Sequence, residues 1–317
     1  MIEARGVTKK YGDKSAVSDL TFTVRPGIVT GFLGPNGAGK STTMRMIVGL
    51  DAPTTGTLTV NGKHYAQHPA PLHEVGALLE ARAIHTGRTA RNHLLALAAT
   101  TGIGRDRVDA LIELVGLSDV ADKRVRGFSL GMGQRLGIAS ALLGDPRTLI
   151  LDEPVNGLDP EGILWIRNLL RSLAAEGRTV FVSSHLMSEM ALTADQVIII
   201  GKGRLLADVP VAQVVAQAAG AYVKVRTPDA AGLRTLLAGP DVTVTTTAPD
   251  ELQVAGLTSD RIGTIAAEHR IALFELTPVH GSLEQAFMEL TRDAVEFRTP
   301  GTLEQPLAMS ASTGDER

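Results

Sequence analysis

Apolar and polar positions alternate through much of the first 62 residues and predict strands over Ile2 to Val7, Ser15 to Val24 and Thr57 to Asn61. A short apolar run, Ile28 to Leu33, feeds a glycine-rich turn, and Ser41 to Gly49 then reads as a helix. Between about residues 86 and 145 the apolar spacing becomes three and four, in Arg91 to Thr100 and Val108 to Val115, which predicts a helical segment. Strand and helix alternate afterwards: Thr148 to Leu151, Ile163 to Glu176, Thr179 to Ser183, Val197 to Ile200. Parallel strands need crossovers, usually helical, so the alternation predicts an α/β fold with a parallel sheet covered on both faces.

After about residue 215 the texture changes. Tyr222 to Thr227, Val242 to Thr247, Glu251 to Ala255 and Ile271 to Leu276 read as strands, with helices at Ala230 to Leu237 and Asp260 to His269. That β-α-β-β-α-β order is ferredoxin-like and predicts a small α+β domain over residues 221–291, closed by a helix from Ser282 to Leu290. Residues 292–317 are polar, without periodicity, and read as a disordered tail. The domain reading is therefore 1–220, 221–291 and the tail.

Composition narrows the function. Thirty-one basic against 34 acidic residues leave a net charge of −3, which gives no electrostatic footprint for nucleic acid. The absence of cysteine excludes disulfides, zinc thiolates and thiol nucleophiles. The N-terminus is charged and lacks an apolar signal core, and the longest aliphatic stretches fall far short of the ~20 residues of a membrane helix. Any work at a membrane is expected to need a separate spanning chain.

Chemistry enters at Gly34-Pro35-Asn36-Gly37-Ala38-Gly39-Lys40-Ser41, which has the spacing G-x-x-x-x-G-K-S between a predicted strand and a predicted helix. The glycines let the loop curl until successive backbone N–H groups converge on phosphate oxygens, and the following helix adds its positive end. Lys40 supplies a point charge to the β- and γ-phosphates, and Ser41 a hydroxyl for Mg²⁺. Leu149-Ile150-Leu151-Asp152-Glu153 is an apolar strand ending in two carboxylates, delivered to the carboxyl edge of a parallel sheet where ligands bind. Asp152 is placed to hold Mg²⁺, and Glu153 is the candidate general base toward the attacking water.

With these elements in hand, residues 2–220 resemble the ATP-binding cassette of ABC transporters, a P-loop NTPase fold. The resemblance implies a parallel core sheet, an N-terminal antiparallel β subdomain and a helical subdomain at about 86–145. Phe128-Ser129-Leu130-Gly131-Met132-Gly133-Gln134-Arg135 stands where the family has its signature, which in the family reaches the ATP of the opposite subunit in a head-to-tail dimer. Asn156-Gly157-Leu158-Asp159 looks like the D-loop that crosses that interface. His185 matches the switch histidine of the γ-phosphate, and Tyr11 the aromatic on adenine. Thr42 joins the phosphate loop, so the implied ATP site is Tyr11 and Gly34 to Thr42.

Two motifs depart from the family pattern. Ala77-Leu78-Leu79-Glu80 carries a carboxylate where a glutamine is usual, and Glu80 is assigned to Mg²⁺ with Ser41 and Asp152. Leu130 and Met132 replace smaller or polar signature residues. Both departures resemble cassettes of bacterial drug and antibiotic exporters of the daunorubicin and bacitracin type. The resemblance implies an ATPase using ATP and Mg²⁺, acting as a homodimer on a separate permease at the cytoplasmic face of the membrane, with cargo unspecified. Two other readings are a soluble cassette acting on nucleic acid or ribosomes, against which the single cassette counts, and an ATP sensor without turnover, against which Glu153 and His185 count. His64, His68, His73, His85 and His93 match no zinc spacing and read as surface or loop residues. The stretch Glu80 to Arg91, with Arg82, His85, Arg88 and Arg91, matches the region that meets the membrane subunit in the family and equally reads as solvated surface charge.

Overall fold

A computed structural model describes residues 1–80, 83–217, 222–279 and 282–292. Arg82 and nearly all of the expected tail lie outside the described residues. The chain opens with β1 (Ile2–Tyr11), β2 (Lys14–Val24), β3 (Val29–Leu33), helix α1 (Lys40–Ile47) and β4 (Thr55–Val60). A single turn, α2 (Pro71–Glu74), precedes β5 (Val75–Leu78), and three helices follow: α3 (Ala90–Ala99), α4 (Arg105–Leu114) and α5 (Leu130–Ala141). Then come β6 (Thr148–Leu151), α6 (Pro160–Ala175), β7 (Thr179–Ser183), α7 (Met187–Thr193), β8 (Gln196–Gly201), β9 (Arg204–Pro210) and α8 (Val211–Gln217).

The core sheet has the order β5-β6-β7-β3-β8-β9, parallel except for the edge strand β9. Its central strands are apolar on both faces because both faces are covered. Phe32, Ile150, Phe181, Ile198 and Ile200 point to the side of α1 and the antiparallel sheet β2-β1-β4. Val29, Leu149, Leu151, Val180, Val182 and Ile199 point to the helical side. Phe22 of β2 closes a ring cluster with Phe32 and Phe181 at 5.8 and 5.9 Å, which joins the two sheets. The strand β9 has little apolar signal because an edge strand has one neighbour. It is fixed by a tight turn in which Lys202 and Gly203 both have positive φ.

Residues beyond 221 form β10 (Tyr222–Arg226), α9 (Ala230–Leu237), β11 (Thr243–Ala248), β12 (Glu251–Ala255), α10 (Ser259–Glu268) and β13 (Glu275–Val279). The sheet order β11-β12-β10-β13, antiparallel throughout, is the ferredoxin-like arrangement, with its own core around Val225, Leu233, Leu252 and Ile262. The last strand corrects the expected Ile271 to Leu276. Ile271 and Leu273 are apolar because they pack on this core from the connection, while pairing with β10 begins only at Glu275. The final helix, α11 (Leu283–Thr291), starts in a capping box of Ser282 and Gln285. The sequence reading grouped it with the small domain, but its buried Leu283 and Ala286 belong to the helical-side core of the first unit.

Candidate active site

The phosphate loop, the acid pair and His185 follow the carboxyl ends of the neighbouring core strands β3, β6 and β7. β3 runs into the phosphate loop, where Gly37 and Gly39 hold positive φ of 81° and 101°. Gly39 is fixed by space as well as by angle, since a Cβ there would sit 2.6 Å from the carbonyl oxygen of Ala16. The loop residues Asn36 to Thr42, with Tyr11, Lys14, Ala16, Asp152 and Glu153, line one cavity of about 460 Å³. Lys40 donates to the carbonyls of Gly34 and Pro35 at 2.6 and 3.3 Å. Burial lowers its pKa, outweighing the opposing pull of Glu153 and Asp152.

β6 ends in the acid pair, and a continuous run of hydrogen bonds ties it to three other elements. Ser41 Oγ donates to Asp152 Oδ2 at 2.8 Å. Ser183, at the end of β7 and fully buried, donates to Asp152 Oδ1 and accepts from the Glu153 backbone N–H at 3.0 Å. Gln134 of α5, also buried, donates to the Glu153 carbonyl at 3.0 Å. Glu153 has φ of 53°, a left-handed backbone that costs about 1–2 kcal/mol for a residue with a Cβ. Two backbone hydrogen bonds at about 1 kcal/mol each are of the size needed to hold it there. The Glu153 carboxylate in turn accepts from the His185 backbone N–H at 3.2 Å and from His185 Nδ1 at 2.7 Å. A carboxylate oxygen accepts, so Nδ1 is assigned as the protonated nitrogen.

Tyr11 is half exposed, its hydroxyl donating to Asp51 at 3.2 Å and its ring lying 4.9 Å from the Lys9 ammonium. Ser129 caps α5 by accepting from the Met132 N–H at 3.2 Å. Leu130 and Gly131 pack against Gly157, and a Cβ on Gly131 would meet the Gly157 carbonyl at 2.7 Å. Asp159 caps α6 through the Gly162 N–H. Glu80 stands apart: it is exposed and lines a neighbouring cavity with Arg45, Tyr65 and His93, not the one around Ser41 and Asp152. The reason is the chain path, because Glu80 lies two residues beyond the edge strand β5. His68 and His73 bind the carbonyls of Val60 and Gly144, and His93 is buried. Among the described residues no three His, Cys, Asp or Glu side chains form a metal cluster. Ser183, Gln134 and Asp51 are site residues that motif spacing did not single out.

A nucleotide-phosphate loop, an acid pair and a histidine gathered at one sheet edge define an ATP-hydrolysing cassette of the P-loop class. Comparison with known proteins gives the family. The profile described as ABC transporter matches residues 17–156, and a domain of unknown function matches residues 221–284. The chain is 37% identical to an uncharacterised ABC transporter ATP-binding protein, YhcH of Bacillus subtilis, over 93% of this chain and 97% of the relative. It is 45% identical to the bacitracin transport ATP-binding protein BcrA of Bacillus licheniformis over 66% of this chain and 70% of that protein. A solved ATP-binding subunit of an ABC transporter superposes with a TM-score of 0.63 at 27% identity, covering 68% of this chain and 92% of that one. The chain belongs to the ABC transporter ATP-binding proteins and is an ATPase of that family.

Proposed function

We propose that two copies of this chain close on ATP and drive export of a drug, antibiotic or other small molecule through a separate membrane permease. The class of cargo is drawn from relatives named for it: BcrA for bacitracin transport, and SrtF of Streptococcus pyogenes, 34% identical, for lantibiotic transport. A solved cassette at 26% identity, MJ0796, is dimeric. No described helix is long and apolar enough to cross a membrane. In our reading the spanning part is a separate permease and this chain works at its cytoplasmic side. The cavity lined by Leu50, Glu80, Ile84 and Leu97 is the surface we assign to permease contact.

The observation that carries the reading is the unbroken run Ser41–Asp152–Ser183–Glu153–His185, which links the phosphate loop to the acid pair and the histidine. In our assignment the loop N–H groups and Lys40 bind the phosphates, and Tyr11 stacks on adenine. Ser41 and Asp152 suit Mg²⁺: both are hard oxygen donors, 2.8 Å apart, and a cation that retains water and phosphate ligands needs few from protein. Mg²⁺ held there neutralises charge on the transferring phosphoryl group. Glu153 takes the proton of the attacking water, and His185 is held by that same carboxylate within reach of the γ-phosphate position. Ser129, Leu130, Gly131 and Met132 meet the nucleotide of the second copy, with Asp159 beside the interface.

Glu153→Gln tests the assignment. The amide cannot act as base, so turnover disappears while ATP binding persists, and gel filtration with ATP shows a trapped dimer. Hydrolysis at the native rate by this variant would remove Glu153 from the role of base.

A further inference from the structure

His185 sits at the end of a short loop, two residues before α7, and α7 has little of its own to hold it in place. Its N-cap is Leu186, with no side-chain cap, and it runs for only seven residues. Such a helix is marginal alone and takes its position from what packs on it. Three neighbours supply that packing. On the sheet side Met190 lies over Gly31 of β3, so close that a Cβ on Gly31 would meet the sulfur at 2.5 Å. On the α6 side Arg167 pairs with Glu189 at 2.6 Å, both side chains about three-quarters buried.

The third neighbour is α11, which reaches α7 from the far side of the accessory unit. It lies against α7 and α8 and over β8. Leu283 and Ala286 are buried in the same cluster as Met187, Met190 and Ala194, with Phe287 packed on it. These positions recur at three and four residues, an apolar stripe turned on the ATPase unit, while Met288 and Leu290 face outward.

We infer that α11 is a positioning element of the His185 switch: by fixing α7 it holds His185 against Glu153, so a helix at the end of the accessory unit sets the turnover rate without touching nucleotide. This rests on the role proposed for His185. Leu283, Ala286 and Phe287 are positioning residues, and the effect should fall on the chemical step and not on ATP binding. A shift of about 1 Å at a reacting group costs up to about a hundredfold in rate, which sets the scale.

The test uses the full chain and five variants. Phe287→Ala lowers kcat about tenfold or more, with the KM for ATP and the Kd for a fluorescent ATP analogue unchanged, and Phe287→Leu restores most of the rate. Ile262→Ala, in the separate core of the accessory sheet, leaves kcat at the native value. In the Phe287→Ala background, adding His185→Ala lowers kcat no further than His185→Ala alone. Native kcat for Phe287→Ala, or losses that multiply in the double variant, overturns the inference. Native kcat for His185→Ala alone overturns the role of the histidine itself, and the coupling with it. Retained binding of the ATP analogue distinguishes a displaced switch from a chain that has failed to fold.

Discussion

Nδ1 of His185 stands 2.7 Å from Oε2 of Glu153, although 32 residues separate them in the chain. β6 and β7 are adjacent parallel strands paired from Thr148 with Thr179 to Leu151 with Val182, so residues just past their ends must meet. The same carboxylate oxygen also accepts the His185 backbone N–H, which orients the loop as well as the ring. His185→Ala is expected to lower kcat by about a hundredfold, the scale of removing one preorganised polar group from a transition state. The Kd for ATP stays near native. Single-turnover hydrolysis with radiolabelled ATP separates the two quantities, and a loss confined to Kd would count against the assignment.

Ser183 offers a sharper test of the same constellation, because it touches both acids at once. Its hydroxyl donates to Asp152 and accepts from the Glu153 N–H, and it is fully buried. Ser183→Ala leaves that N–H without its partner and releases the strained Glu153 backbone from one of its restraints. Stability is expected to fall by about 1–3 kcal/mol, the cost of an orphaned buried group. Turnover falls as well, because the Glu153 carboxylate loses its fixed direction. Urea unfolding monitored by circular dichroism gives the first figure and a coupled-enzyme assay the second.

The adenine contact proposed for Tyr11 rests on a smaller device. Asp51 accepts from Tyr11 and from Arg45, at 3.2 and 2.7 Å, and the Arg45 hydrogen bond holds its carboxyl below the usual carboxylate range. Tyr11 and Arg45 are exposed, so solvent screening keeps the effect small, about a two- to fivefold change in Kd. Asp51→Asn is therefore expected to weaken ATP by that factor and leave inorganic triphosphate unaffected. Competition titrations with the two ligands decide it, since an equal loss for both would place the effect on the phosphates.

The legible part of this site is what chain-local spacing can carry. Gly34 to Ser41 must be contiguous to wrap one phosphate chain, and Asp152 with Glu153 must end one strand, so both read directly from the sequence. The pairings of Ser183 and Gln134 do not show in the sequence, because their partners lie 30 and 19 residues away and nothing local to a buried Ser or Gln marks it as paired. Glu80 shows what the sequence leaves open: its place after a strand suggests a ligand, while the exit from β5 puts it on the cavity that Arg45 also lines. The same logic governs the fold. Central strands such as Thr148–Leu151 and Thr179–Ser183 are read to the residue because both their faces are buried. Ile271 and Leu273 misled because a connection packed on a core is as apolar as a strand. The stripe of α11 foretold a helix but not which of two cores it would join.

Lys40 gives a pH dependence whose sign can be worked out. Its pKa in the folded protein is lowered, by burial first, against the weaker opposing effect of Glu153 and Asp152. Folding thus favours the neutral amine, and between the lowered and the ordinary lysine value the unfolded chain binds the extra proton. Over that window the stability of the free protein rises with pH. Phosphate binding works the other way, because the charged amine is the form that pairs with phosphate. Below the lowered value Lys40 is already charged and affinity is constant. Above it each binding event must take up a proton, so the Kd for triphosphate rises by up to about tenfold per pH unit. Calorimetry in buffers of different ionisation enthalpy measures that proton uptake. In Lys40→Gln the uptake attributable to this residue disappears and binding is weak throughout. A native protein whose affinity stays flat through the alkaline range would show that the ammonium is not what holds the phosphates.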